Sequence, residues 1–585
     1  MSTLDPTAEH DTGQSVATPA SQARRLRTFT ADLSAVGEPA LWAFGGALCL
    51  GLLLVAGFLL LIFWNGITTF WPGPIELVQL RDGAVVAGEP RRDELYRPGP
   101  RVLETLSAAE RERIAASDGF AHRVLYRVGN YDLSGEDFQW VSDFEVASVA
   151  MPGDLYSFER QEWGAFVGRI AGVVLDGREV DPASLGYDGV REQQRAARAR
   201  WDAIRAIERN AIGEVNHAME GARLNLRGVA LEHGEDSQAY RDAAAEVRAK
   251  TAVLQREYEV LAARAQAITT ENERYRIVLE AVDGKRKEST LSQIVRFYPA
   301  NELDVLDKTG IYLSRWWEFV SSEPREANTE GGILPAIFGT VAMTLLMVVF
   351  VAPFGVVTAL YLREYAKQGR LVAVVRICVN NLAGVPSIVY GVFGLGFFAY
   401  TMGVTIDQLF YPERLPSPTF GTGGILWASL TLALLTVPVV IVAAEEALAA
   451  VPRSMREGSL ACGASKWQTI KYVVLPRAMP GVMTGLILAM ARGAGEVAPL
   501  MLVGVVKLAP ELPVDGFFPF VHLERSFMHL GFHIFDVGFQ SRNSEAGKPM
   551  VFVTTLLLLA LIVLMNSTAI YIRNRLKRKF STGQF

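Results

Sequence analysis

The residues best suited to chemistry lie where the chain is otherwise most apolar. In the stretch TGLILAMARGAGEVAPLMLVGVV (484–506) the only charges are Arg492 and Glu496. Spaced i, i+4, they fall one turn apart on one helix face. A guanidinium suits bidentate recognition of a phosphate oxyanion. A carboxylate beside it would restrain it, or weaken the hold on such a ligand enough for release. The same two residues would also serve as a buried ion pair that sets helix register. Both readings stand on the sequence, and they are not exclusive. An Arg at the centre of a membrane helix costs about 2.5–3.5 kcal/mol, so it is expected to face protein or a watery path. Gly493 and Gly495, and the Gly481-x3-Gly485 pair before them, allow a second helix to approach closely.

Other chemistry is missing. The nearest approach to a phosphate cradle G-x-x-x-x-G-K-[ST] is GSLACGASK (458–466), where Ala464 stands in place of the required Lys. H-E-x-x-H and G-x-S-x-G are absent. His522, His529 and His533 cluster loosely, either as a metal site or as interface and surface histidines. Cys49, Cys378 and Cys462 are far apart, which excludes a disulfide scaffold and zinc spacing. No enzyme, cofactor or resident metal is expected. A net charge of −5 over 585 residues gives no nucleic-acid signal.

The second informative stretch is EEALAAVPRSMREGSLACGASKWQTIKYVVLPRAMPG (445–481). Its core is amphipathic: Met455, Leu460, Trp467 and Ile470 alternate with Arg456, Glu457, Lys466 and Lys471. By itself such a loop lies on a membrane surface. Its spacing is more specific: Glu457-Gly458-Ser459, Gly463, then Val473-Val474-Leu475-Pro476. Gly463 would allow a tight turn between two helical pieces, and Pro476 would close the second.

Half of the chain is hydrophobic, with a slightly positive mean hydropathy, which suggests apolar spans joined to a sizeable polar region. Six stretches reach the roughly 20 residues a membrane helix needs: 41–64, 333–362, 371–402, 425–444, 481–506 and 550–572. The first, far from the start and without a small-residue cleavage site, reads as a retained anchor. Lys and Arg near the span ends give the orientation. Arg24, Arg25 and Arg27, then Arg363, Lys367 and Arg370, then Arg453, Arg456, Lys466, Lys471 and Arg477, and the tail RNRLKRK share one side, read as cytoplasmic. Residues 65–332 then lie outside, and both termini lie inside.

That external insertion is expected to hold a mixed α/β or β-rich lobe over 65–190. From Tyr240 a 4-3 alternation runs through Ala244, Val247, Thr251, Leu254, Tyr258, Leu261, Ala265, Ile268, Asn272, Tyr275 and Leu279 to Val282, the heptad pattern of a coiled coil. Such a helix would reach about 65 Å. A shorter seam, Ile212, Val215, Met219, Ala222, Leu226 and Val229, precedes the turn EHGED. Residues 191–285 are therefore expected as an antiparallel coiled-coil hairpin projecting from the membrane, either a docking arm or a self-packed stalk or dimer contact. Residues 286–332 would return the chain to a core at 333–572, with 1–40 and 573–585 as tails.

The 457–476 spacing resembles E-A-A-x3-G-x9-I-x-L-P, the signature loop of MetI-like ABC importer permeases, with Gly458 and Ser459 replacing two alanines. GGILPAIFGT, LREYAK, NNLAGVPSIVYGVFGLGFF, ARGAGEVAPL and RSFMHLGFHIFDVGFQ further resemble phosphate-specific permeases of the PstA type. The likeness covers the first span and everything from about residue 331. It implies a type I ABC importer permease fold in the bacterial inner membrane, with no ATP chemistry of its own. The implied partners are a PstC-type sister permease, an ATPase dimer, a periplasmic phosphate-binding protein, phosphate and lipid. Glu457, Gly458, Ser459, Gly463, Leu475 and Pro476 would dock the ATPase. Arg492 and Glu496 match positions associated with transport in that family. Asn380, Pro386, Ser387 and Tyr390 belong to a family stretch but are expected only to kink and pack span three. A permease for another oxyanion, and a membrane scaffold using the coiled coil, remain the alternatives.

Overall fold

A computed structural model describes residues 39–325, 328–509, 511–541 and 544–581. The expected tail through residue 38, with Arg24, Arg25 and Arg27, lies outside the described residues. Two units, Met1–Leu60 and Leu61–Phe585, divide the chain. The first contributes most of the helix Pro39–Thr68, whose Trp42, Phe44, Leu48 and Leu52 are exposed, as lipid contact requires.

Among the described residues six helices are long and apolar enough to cross a membrane, making this a helical multi-pass membrane protein. Four of them agree with the sequence reading in place, and the third and fifth depart from it. The expected third span, 371–402, breaks into a helix Arg370–Leu382 and a separate span, Ser387–Phe410. Pro386 has no N–H to donate and pushes its predecessor out of the helical region, so the backbone cannot continue through it. The expected fifth span, 481–506, is shifted toward the N-terminus. Its helix runs Leu475–Gly495 and stops at Glu496, whose φ of −79° and ψ of 135° are extended. Pro499 lies just beyond, where prolines commonly follow helix ends.

Span four, Ile425–Ala449, is the most enclosed, with Ala428, Leu432, Leu435 and Val440 fully buried. Spans two (Leu334–Leu360) and five pack against it. A Cβ on Gly481 would lie 2.5 Å from Ala447 Cβ, and one on Gly485 the same distance from Ala443 Cβ. A Cβ on Gly493 would meet Met347 Sδ at 2.5 Å, whereas Gly495 faces open space. In lipid, close packing of small residues takes the place of the hydrophobic drive between helices. Buried hydroxyls of Thr340, Thr344, Thr431 and Thr436 bond carbonyls in their own helices, which satisfies these donors within the apolar layer.

The insertion is larger in its β content than the sequence suggests. One antiparallel sheet holds Glu76–Leu80, Val85–Tyr96, Ala121–Arg127, Phe138–Ser142 and Val146–Ala150. A second holds Tyr156–Arg160, Phe166–Leu175 and Arg178–Val180, completed by Arg276–Glu280, Arg286–Thr290 and Ile294–Pro299. The lobe therefore does not end at 190; chain on both sides of the hairpin builds one sheet.

The hairpin starts earlier and ends sooner than expected. Pro182–Ala206 and Ile212–His233 form its first arm, joined by a π-helical turn at Ile207–Ala211. Gln238–Asn272 forms the second. The heptad seam is the packed face: Val215, Ala222, Ala244 and Ala265 are buried. Beyond Asn272 the same alternation passes into a strand, where Ile277 and Leu279 enter the sheet core, so the helix spans about 52 Å rather than 65 Å. Nor does the hairpin stand clear of the core. His217 stacks on Phe517 with ring centroids 4.5 Å apart, and the first arm rests against Pro412–Arg414.

A dense ion network joins sheet and membrane entry. Glu159 pairs with Arg315 at 2.6 Å and with Arg296, while Glu318 takes Arg296 at 3.0 Å and Arg325 at 2.5 Å. Burial pushes the Glu159 carboxyl up, but Arg315, Arg296 and Arg325 outweigh it and hold it at about 2. A depressed folded-state value stabilises the fold above the unfolded value of 4.5 and loses that contribution as pH falls toward 2. Thermal melts of wild type and Glu159→Gln are expected to differ by about 3 kcal/mol at neutral pH, because the variant leaves buried guanidiniums uncompensated. The gap should hold down to the unfolded value and close below it. An unchanged gap in strong acid would show that Glu159 is not the titrating group.

Candidate functional site

The packing of span five delivers Arg492 to the end of its helix. The 21 residues of Leu475–Gly495 rise about 32 Å, close to a bilayer's apolar thickness. Arg492 therefore sits in the last turn, not at mid-span, which corrects the expected placement. A cation in a last helical turn also complements the partial negative charge of the exposed carbonyls. Arg492 Nε lies 3.6 Å from Glu496 Oε1, a loose ion pair with side-chain exposures of 36% and 22%. That is not the dry, fully buried pair of the register reading. The guanidinium is restrained yet accessible on the surface of this single chain.

Two chain breaks meet beside it. Tyr390, buried just after Pro386, donates from its hydroxyl to Leu382 O at 2.6 Å, bridging the break in the third span region. A Cβ on Gly391 would meet Pro499 Cα at 2.7 Å, so the start of span three sits directly on the turn after span five. The stretch read only as a kink thus contributes a neighbour to the turn that follows the charged pair. Its sequence signal was the proline, and the partner across space was not legible. Asn380 and Pro386 are exposed and Ser387 is half-buried.

At the other end of span five, the 445–481 loop folds into two short helices. Arg453–Ala461 ends at Gly463, whose φ of +84° places it in the left-handed region that glycine tolerates best. Ser465 then opens Lys466–Thr469 with a capping box closed by Gln468. Pro476 does not close this second piece. A π-helical turn, Ile470–Val474, absorbs the backbone ahead of it, and Pro476 enters the first turn of span five, where its missing N–H costs nothing. Ser459, a departure from the common alanine, bonds Thr469 Oγ1 at 2.9 Å and ties the two pieces together.

Ion pairs fasten this unit to the membrane helices. Arg456 reaches Glu364 at 3.0 Å and donates to Val451 O and Leu448 O. Arg376 pairs with Glu445. Glu457 and Gly458 are exposed, as are Leu460, Trp467 and Tyr472, so an apolar patch with an acidic edge is left uncovered. Leu475 and Pro476 are half-buried beneath it.

The histidines separate. His522 lies between Asp515 at 3.0 Å and Glu524 at 3.1 Å. His529 accepts from Gly531 N at a helix start, and burial pulls it and His533 down to about 4. Among the described residues no group of three His, Cys, Asp or Glu side chains is placed to hold a metal.

Residues 351–578 match the family model of binding-protein-dependent transport system inner membrane components. Over 192 residues, 33% of this chain and 56% of the relative, the chain is 38% identical to phosphate transport system permease protein PstA 1 of Mycobacterium tuberculosis. Over 183 residues it is 36% identical to the PstA protein of Yersinia pestis, covering 31% and 56% of the two chains. A probable ABC transporter permease, YqgH of Bacillus subtilis, is 35% identical over 204 residues, covering 34% and 62%. The chain thus spans a little over half the length of these relatives. An inward-facing methionine ABC transporter structure is 20% identical with a TM-score of 0.32, covering 42% of this chain and 95% of that one. Residues 351–578, from within span two onward, are thus similar to the membrane components of binding-protein-dependent transport systems.

The glycine contacts predict a contrast. Gly485→Leu must displace Ala443 and is expected to lower the melting temperature of detergent-purified protein by several degrees. Gly495→Ala, facing open space, should leave it unchanged. Equal effects in scanning fluorimetry would show that close packing does not fix span five.

Proposed function

We propose that this chain, whose core is a MetI-like permease domain, is the membrane subunit of an ATP-driven importer of inorganic phosphate. The observation that carries the reading is the pairing of the family match with the Gly463-hinged helical loop, which leaves an apolar, acid-edged patch for an ATPase subunit. The phosphate assignment is supported by the PstA-named relatives and by an accessible guanidinium at Arg492. In this reading the chain forms half of the pathway beside a PstC-type permease. An ATPase dimer docks on Glu457–Gly463 and the residues up to Pro476, and a periplasmic phosphate-binding protein delivers the ion. The loop side is cytoplasmic, the insertion is periplasmic, and the membrane is the bacterial inner membrane.

Mechanistically, the chain performs no bond chemistry. The ATPase cycle moves the 453–469 helices, and the continuous helical path through Val474 carries that displacement into span five. Arg492 then holds a phosphate oxyanion through paired N–H donors, and Glu496 competes for the same guanidinium, keeping the contact transient.

In vesicles containing the co-expressed subunits, Arg492→Lys is expected to cut phosphate uptake more than tenfold while the ATPase subunit still co-purifies. Intact uptake would exclude bidentate phosphate contact. Glu457→Lys should abolish uptake together with ATPase retention. Uptake of sulfate or molybdate instead of phosphate by wild-type vesicles would assign the machine to another oxyanion. Failure of wild type to retain any ATPase would favour a scaffold.

A further inference from the structure

A cavity of about 480 Å³ lies between the insertion's first sheet and the ends of spans one and six. Its lining mixes two kinds of residue. Arg91, Arg92, Arg127, Arg315 and Arg325 come from the insertion and its return segment, and Lys548 from the start of span six. Phe70, Pro549, Met550 and Phe552 are apolar and come from the span ends.

The cations are not equally committed. Arg315 spends its donors on Glu159, Phe70 O and Tyr298 Oη, and Arg325 spends its own on Glu318 and Arg160 O. Arg91 has one hydrogen-bonded acceptor among the described residues, Glu89, and Arg127 has one, Glu330. A guanidinium carries five donors, so Arg91 keeps donors for a further acceptor, while Arg127 also feels Glu89 and Asp137. Arg92 pairs with Glu545 at 3.2 Å, but its buried Nε has no acceptor. Among the described residues five carboxylates line the cavity against six cations, one positive charge in excess. Burial lowers the Arg91 guanidinium, and the neighbouring Arg127 and Arg315 press in the same direction while Glu89 opposes them. An anion bound there would relieve that repulsion.

The surroundings place the cavity at a lipid border. Arg315 and Glu318 come from the amphipathic helix Val305–Ser321. Its Trp316 packs edge-on against Phe70, and its Tyr312 lies against Trp71. Leu306, Leu313 and Trp317 are exposed, the composition of a helix lying in a membrane interface. We propose that this cavity binds a singly charged phosphodiester group through Arg91, Arg92 and Arg127, supplied by a phospholipid whose chains lie along the Phe70–Phe552 wall. A free phosphate ion shares the charged half of this chemistry and leaves the apolar wall unused.

The test titrates the detergent-purified full chain with dihexanoyl-phosphatidylglycerol below its micelle concentration, and separately with inorganic phosphate, following the melting midpoint. A saturable rise with the lipid, weakened at least tenfold in Glu89→Gln/Arg91→Gln, is expected. That double variant removes both members of a pair, leaving no unpaired charge. Should it fail to fold, Arg92→Gln, altering a partly exposed side chain, reads the same loss. An equal Arg91-dependent rise with phosphate alone would support the oxyanion site and assign its source to free phosphate. No rise with either ligand, or a rise that ignores both variants, would overturn the proposal.

Discussion

The close seating of span five on span four is the contact on which the rest depends. Two glycines a turn apart, Gly481 and Gly485, let that helix approach Ala447 and Ala443 with no side chain between. This fixes what lies before the contact, the hinged pair of helices with its exposed Trp467, and what lies after it, Arg492 and Glu496. A larger residue at either glycine would separate the helices and misplace both ends together. Membrane interiors give little hydrophobic reward for helix association, so this steric fit carries the positional information.

The insertion is built on a different physics. Its sheets have hydrophobic cores around Phe158 and Val78, and its membrane entry is tied by carboxylates each shared between two guanidiniums. Such networks are specific but intolerant of the loss of one member. The hairpin is an outgrowth of the second sheet, entering after Arg178–Val180 and returning at Arg276–Glu280. Its contact with Phe517 means that the extra domain and the permease core meet at more places than the chain connections alone.

How much of this was legible depended on how local the cause was. Apolar length alone located six spans, and the left-handed turn at Gly463 followed from one residue. The helical hairpin was legible from its seam. Its end was not, because Tyr275, Leu279 and Val282 continue the heptad rhythm while the chain becomes a strand, Arg276–Glu280, whose partner Phe166–Leu175 lies about a hundred residues earlier. Span boundaries failed at Pro386 and Pro499, where apolar composition runs on through a backbone that cannot. Arg492 stood out as a charge in an apolar stretch, but its surroundings were not foreseen: the turn at Pro499 and the start of span three meet only through the fold. Glu159 carried no signal at all, since its partners are scattered from Arg296 to Arg325.

The helical path from Lys466 to Gly495 is gripped near its middle and bears an exposed aromatic at one end and a guanidinium near the other. Mechanically that is a lever with its fulcrum at the small-residue contact. With an arm of about 20 Å on each side, from a rise of 1.5 Å per residue, a tilt of about 5° displaces each end by roughly 2 Å. A fulcrum there would reverse the sense of such a tilt, so the Trp467 and Arg492 ends would move oppositely, the latter against Met347, on which Gly493 is seated.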